Sequence, residues 1–294
     1  MSIQKDTFQK LDLCNAFLFA AALEQPKICQ LVLEIILGQK VPGVKVHAEH
    51  SVLVSSDFRS VRFDVYASDE LQVGYNVEAQ NENEGNLPKR SRYHQAEMDV
   101  SSLKPGADFN DLKPSYVIFI CTFDPFKKGL YRYTFEERCL ECNLALGDGT
   151  RKIFLNTKGK NDEEVPAELV HFLKYMEQST DEYVSGVTEQ SIIQLHEQVT
   201  ELKKWRELEA RFMTGEELMQ QRERKGRLAG LAEGKAAGLA EGKADSIFEL
   251  LEECGTVPES LRKQIYEQKD AKVLTRWLRL SAKVSSVEEF MEQM

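Results

Sequence analysis

The sequence predicts a mixed α/β core followed by an all-helical C-terminal extension, on three observations. Apolar residues recur at three- and four-residue spacing over residues 9–38, short strand-like runs begin near Lys45, and strand signals vanish after about residue 180. A chain of 294 residues has room for one domain and an appendage. With 42% hydrophobic and 29% charged residues it sits near the averages of globular proteins, which excludes a largely disordered chain.

The first stretch, KLDLCNAFLFAAALEQPKICQLVLEIILGQ, reads as two amphipathic helices parted near Gln25-Pro26, because proline suits the first helical turn. Three strand candidates follow: HAEHSVLV, RSVRFDVYAS and LQVGYNVEAQ. The short polar link Ser68-Asp69-Glu70 predicts that the second and third form an antiparallel hairpin. Residues 88–103 read as a helix ended by the turn Lys104-Pro105-Gly106. The unbroken apolar run PSYVIFICTF predicts a buried central strand, LYRYTFEER and RKIFLNT two more strands, and VPAELVHFLKYMEQ a helix.

Residues 1–185 are thus expected to form the core domain and 186–225 a polar helical arm with interleaved Glu and Lys or Arg. Residues 226–245 carry a near-repeat, LAEGKAAG then LAEGKADS, with Gly226, Gly230, Gly234, Gly238 and Gly242 four apart. Two readings stay open there: a helix that approaches a partner helix closely in a homo-oligomer, or a flexible linker, since glycine weakens a lone helix. Residues 246–294 read as a module of three short helices punctuated at Gly255, Lys269-Asp270 and Ser285-Ser286.

The start, MSIQKDTFQKLDL, has no apolar stretch behind a basic region, and no long window lacks charge. Neither a signal peptide nor a membrane-spanning helix is expected, and the cytoplasm is the default compartment. Cys139 and Cys142 form one C-x-x-C without a second pair or a suitably spaced His, so they read as neighbours on one helical face rather than a zinc site. A net charge of -10 weighs against a broad surface for nucleic acid. It leaves room for local contacts, and the run Lys89-Arg90-Ser91-Arg92-Tyr93-His94-Gln95 offers them through Lys89, Arg90, Arg92 and Tyr93. The alternative for this run is a solvated helix end. No Walker loop, Rossmann fingerprint, Gly-x-Ser-x-Gly elbow or zincin motif is present.

The strongest chemical signal is Asp64 in SVRFDVYAS with Glu78 and Gln80 in YNVEAQ. Alternate residues of a strand share a face, so a hairpin would bring Asp64 beside Glu78 and Gln80. Two carboxylates amid apolar strands are costly unless paired, protonated or bound to a cation, and hard oxygen ligands suit Mg²⁺. On spacing alone, the wet face of an ordinary hairpin is the competing explanation.

An Asp followed about a dozen residues later by Glu-x-Gln, in a strand hairpin behind an N-terminal helix, resembles the PD-(D/E)XK nuclease fold, with Gln80 in place of the usual Lys. More closely, the chain resembles the recombination-promoting nuclease and transposase-like family (Rpn), on NAFLFAAALEQPKICQLVLEIILG, VRFDVYASDE, YNVEAQ, KRSRYHQAEMD, PSYVIFICTFDPFKKGLYRYTFEERC and DGTRKIFLNTKG. The resemblance implies a restriction-endonuclease-like core, a mixed sheet flanked by helices. It also implies DNA as substrate and Mg²⁺ (or another divalent cation such as Mn²⁺) as cofactor, with DNA cleavage that promotes recombination. Asp64 and Glu78 would then be metal ligands, the Ala79 carbonyl a third, and Gln80 the group that orients water or a phosphate oxygen. Relatives commonly carry an acid directly before Phe-Leu-Phe, where this chain has Ala16; Asp12 is the nearest substitute. Gln80 and Ala16 keep a second function open, a catalytically weakened DNA-binding protein, and the helical tail a third, an oligomeric interaction protein.

Overall fold

The structure, a computed structural model, describes residues 8–47 and 65–294. The chain divides into two compact units between Met213 and Thr214.

The first unit is built on a six-stranded mixed sheet in the order β1-β2-β3-β4-β6-β5. Its strands are β1 (Lys45–His47), β2 (Val65–Ser68), β3 (Gly74–Gln80), β4 (Ser115–Cys121), β5 (Arg132–Phe135) and β6 (Thr150–Asn156). β1, β2 and β3 run antiparallel in turn, whereas β4 is parallel to both β3 and β6, and β5 closes the far edge antiparallel to β6. A strand flanked by parallel neighbours and covered on both faces needs apolar side chains throughout, and Val117 to Cys121 are buried without exception.

The expected hairpin is β2–β3, with Val65 opposite Val77 and Ser68 opposite Gly74. Its loop is longer than the sequence reading gave, because the third strand starts at Gly74 rather than Leu71. The buried Asp69 carboxylate accepts the Leu71 and Val73 amides, each at 2.9 Å, and the Tyr75 hydroxyl at 2.9 Å. That Asx-type turn, with Gln72 at φ 62°, competes successfully with strand pairing.

The N-terminal helices are α1 (Ala16–Leu23) and α2 (Pro26–Leu37), as the Pro26 signal indicates. Asn15 caps α1 by accepting the Phe17 and Leu18 amides, and Gly38 ends α2 in the left-handed region at φ 66°. With α4 (Ala167–Glu177) and α6 (Gln190–Lys203) they bury the larger apolar core against Val77, Ile118, Ile120, Ile153 and Leu155 of the sheet. A short helix, α5 (Asp181–Ser185), joins α4 to α6.

The arm expected over 186–225 is not uniformly solvated, since Ile192, Leu195, Val199 and Leu202 of α6 enter this core. Their three- and four-residue spacing was in the sequence, masked by the charges between them.

The opposite face of the sheet carries a smaller aromatic cluster, Val117, Phe119, Cys121, Tyr133 and Phe154, joined by Leu87 and Met98 of α3 (Leu87–Ser102). The C-x-x-C is a second correction. Cys139 and Cys142 are exposed in the turn of a small hairpin, closed by the Arg138–Ala145 bridge and with Asn143 at φ 53°, and not on a helix.

In the second unit, the end of the helix α7 (Arg206–Cys254) and the helices α8 (Glu259–Glu267), α9 (Ala271–Ser281) and α10 (Val287–Gln293) close around Phe248, Leu251, Leu261, Ile265, Leu274, Trp277 and Phe290. Breaks fall at Gly255, at Asp270, which caps α9, and at Ser286, which caps α10. The glycine repeat lies inside α7 as helix, with its glycines facing open space. No single helix among the described residues is long and apolar enough to cross a membrane.

Candidate active site

The site lies where α3 covers the smaller sheet face. Buried positions of α3 are Leu87, Ser91, His94, Gln95 and Met98, a stripe in which three of five side chains are polar. A helix with that composition gains little from burying an apolar face. Its polar stripe lies on Asn76 and Glu78 of β3, which share this face by the two-residue period of the strand.

Glu78 is the centre of the arrangement, at 3% exposure. Its Oε1 accepts from the Arg90 guanidinium and from the Gln80 amide. Arg90 also donates to Gln80 Oε1 at 3.3 Å, so the three side chains close a ring. His94 Nε2 lies 3.5 Å from the second carboxylate oxygen, Oε2, and its other ring nitrogen lies 3.4 Å from Glu97. Arg90 and His94 are four apart on α3, which places both on the face turned to β3.

The Gln80 amide nitrogen donates to Glu78 Oε1 and also, at 3.2 Å, to the Ala79 carbonyl. Two oxygens expected to hold a cation therefore converge on one donor. Buried Asn76 Oδ1, Glu78 Oε2 and Gln95 Oε1 meanwhile accept from no donor among the described residues. A buried carboxylate with oxygen acceptors around it is the donor chemistry a hard divalent cation takes. No group of three His, Cys, Asp or Glu ligands is assembled among the described residues. Asp64 lies outside them.

The sequence-predicted contacts divide. Lys89, Arg92 and Tyr93 are exposed on α3, whereas Arg90 turns inward onto Glu78 instead of facing solvent. Ala16 opens α1 with no polar group to offer, and Asp12 accepts the Ser179 amide at 2.7 Å, tying the N-terminal segment to the residues after α4. His47 hydrogen-bonds Ser68 through Nε2 at 2.8 Å, away from Glu78.

Sequence reasoning missed His94 as a neighbour of the carboxylate; its i+4 relation to Arg90 was the available signal. It also missed the loop after β4, where the parallel pairing of Gln80 with Cys121 sets the ends of both strands side by side. Asp124 there accepts the Phe126, Lys127 and Gly129 amides and the Tyr133 hydroxyl, the last at 2.7 Å. Burial alone would push the Asp124 carboxyl up, but these four donors together hold it below the usual carboxylate range. The same loop presents Lys127 and Lys128 to solvent.

A family model described as PD-(D/E)XK nuclease family transposase matches residues 10–227. The chain belongs to this family. The match spans the whole sheet of this PD-(D/E)XK protein, the Glu78 site, α3 and the helices up to the first part of α7. No match was found among curated proteins or among solved structures.

Proposed function

We propose that this PD-(D/E)XK family protein is a metal-dependent DNA endonuclease. The observation that carries the reading is the buried Glu78, held by Arg90 and Gln80 beside acceptors without donors, on a strand of a nuclease-family fold. Val65 pairs with Val77 in the antiparallel hairpin, and Glu78 is the next residue along β3; Asp64 precedes Val65 in the sequence and lies outside the described residues. Asp64, Glu78 and the Ala79 carbonyl would hold Mg²⁺ or Mn²⁺. The bound ion supplies a lowered pKa for water and charge stabilisation at the scissile phosphate.

This chain's own residues do the rest. Arg90 fixes the Glu78 carboxylate in one rotamer. Gln80, a neutral amide, orients a water or a phosphate oxygen but cannot neutralise charge as a lysine would. Exposed Lys89, Arg92, Tyr93, Lys127 and Lys128 provide the phosphate contacts that an overall acidic chain otherwise lacks. Promotion of recombination, and self-association through the exposed Leu228, Leu231 and Leu239 of α7, belong to the same reading.

Supercoiled plasmid incubated with the purified chain and Mg²⁺ tests it. The expected result is nicking or linearisation that EDTA, Asp64→Ala and Glu78→Ala each abolish. Cleavage that survives Glu78→Ala would overturn it. A second reading, DNA binding without cleavage, is favoured by Gln80 and by the Arg90 charge already on Glu78; DNA retained but uncut by the wild type would select it.

A further inference from the structure

A cavity of about 350 Å³ lies on the same sheet face as Glu78, against Pro88, Ser91 and Arg92 of α3. Its walls are the rings of Phe126, Phe135 and Phe154, and its rim carries Arg92 and Lys152. The rings are mutually packed, with centroids 5.1 Å apart for Phe126–Phe135, 5.1 Å for Phe126–Phe154 and 5.6 Å for Phe135–Phe154. Phe135 stays 43% exposed at the edge of this cluster, while Phe154 is buried.

We propose that this cavity takes one unstacked base of the DNA strand, so that the protein acts on single-stranded or locally opened DNA rather than on continuous duplex. The inference rests on the nuclease reading for its ligand class and on five observations for its site. An exposed phenylalanine face beside two others is what base stacking uses, and stacking tolerates any base. Arg92 makes no ion pair or hydrogen bond among the described residues, which leaves its guanidinium for a phosphate or a ring face.

On the rim Glu136 is paired with Arg138, and Glu137, 3.9 Å from Lys152 and otherwise exposed, can accept from an exocyclic base amine. The spacing also fits. Glu78 pairs with Phe119 and Phe119 with Phe154, so the backbone of Phe154 is two strands, or about 10 Å, from that of Glu78. A duplex cannot present a base to such a recess without extruding it, whereas a single strand can. Asp124 holds the Phe126 loop in place through its backbone hydrogen bonds, so the recess is preformed.

The test is fluorescence anisotropy with a labelled mixed-sequence single strand and its duplex, in EDTA so that binding is read without cleavage. Wild type, Phe135→Ala and Phe135→Leu are compared, the last keeping apolar volume without a ring; a thermal melt verifies that both variants fold. Expected is a single-strand affinity about tenfold weaker in both variants, with duplex affinity unchanged. Equal weakening for both DNAs, no change in either variant, or a wild type that ignores the single strand would each overturn the proposal. Because no metal is present, a failure here leaves the Glu78 cleavage test standing, and a dead nuclease that still loses single-strand affinity on Phe135→Ala would sink only the nuclease reading.

Discussion

At the residue scale, Glu78 is a buried carboxylate whose charge is met by Arg90, and a cation arriving at the site competes for the same group. Replacing Arg90 by glutamine leaves Glu78 partly uncompensated. The expected cost is on the order of 2 kcal/mol, less than for a fully buried pair because Arg90 is partly exposed. A divalent ion then supplies the missing charge, so Mn²⁺ should raise the melting temperature of Arg90→Gln more than that of the wild type. Calorimetric melts with and without the ion decide it, and equal shifts would remove Glu78 from the metal site. The carboxylate itself was legible in the sequence, as an acid at an alternating position between apolar residues. Arg90 was legible only as a cation. Which way it faced depended on how α3 sits on the sheet, a tertiary relation that local charge counting does not contain. His94 escaped for the same reason.

At the element scale, the segment between β4 and β5 is organised by one carboxylate. Four donors converge on Asp124 and hold its pKa below the ordinary aspartate value, so its contribution to stability is present above that ordinary value. It fades as pH falls through the depressed one. The expected signature is local: at neutral pH, tryptic cleavage after Lys127 or Lys128 should be faster in Asp124→Asn than in the wild type. A cleavage rate in Asp124→Asn equal to that of the wild type at neutral pH would contradict it. Strands β4 and β6 and helices α1 and α2 were readable from their apolar runs, and α3 from the Lys104-Pro105-Gly106 turn that ends it. The β2–β3 loop was not, because Asp69 draws two residues out of a strand-like run by hydrogen bonds that no propensity records. The C-x-x-C turn was misjudged for a related reason: two cysteines three apart suit a helix face and a hairpin turn equally well.

At the scale of the molecule, the division between Met213 and Thr214 bears on where the chain can be cut. Truncation after residue 185 would strip Ile192, Leu195, Val199 and Leu202 from the main core, each substitution-sized loss worth 2–5 kcal/mol, and should yield insoluble or unfolded protein. Truncation after Met213 keeps them. That shorter chain should retain a cooperative melt and the cleavage activity, and light scattering should show it monomeric if α7 carries the self-association; a monomeric full-length chain would remove that role from the tail.

The sheet's unequal faces set one further condition on the whole protein. One side is closed by four helices over apolar side chains, while the other is closed by α3 over a carboxylate, a guanidinium and an imidazole. Apolar replacements at Glu78, Arg90 and His94 would pack that seam better than the natural residues do. Selection for heat resistance alone would therefore erode chemistry first and architecture last, and the hardiest descendants of this sequence would be inert.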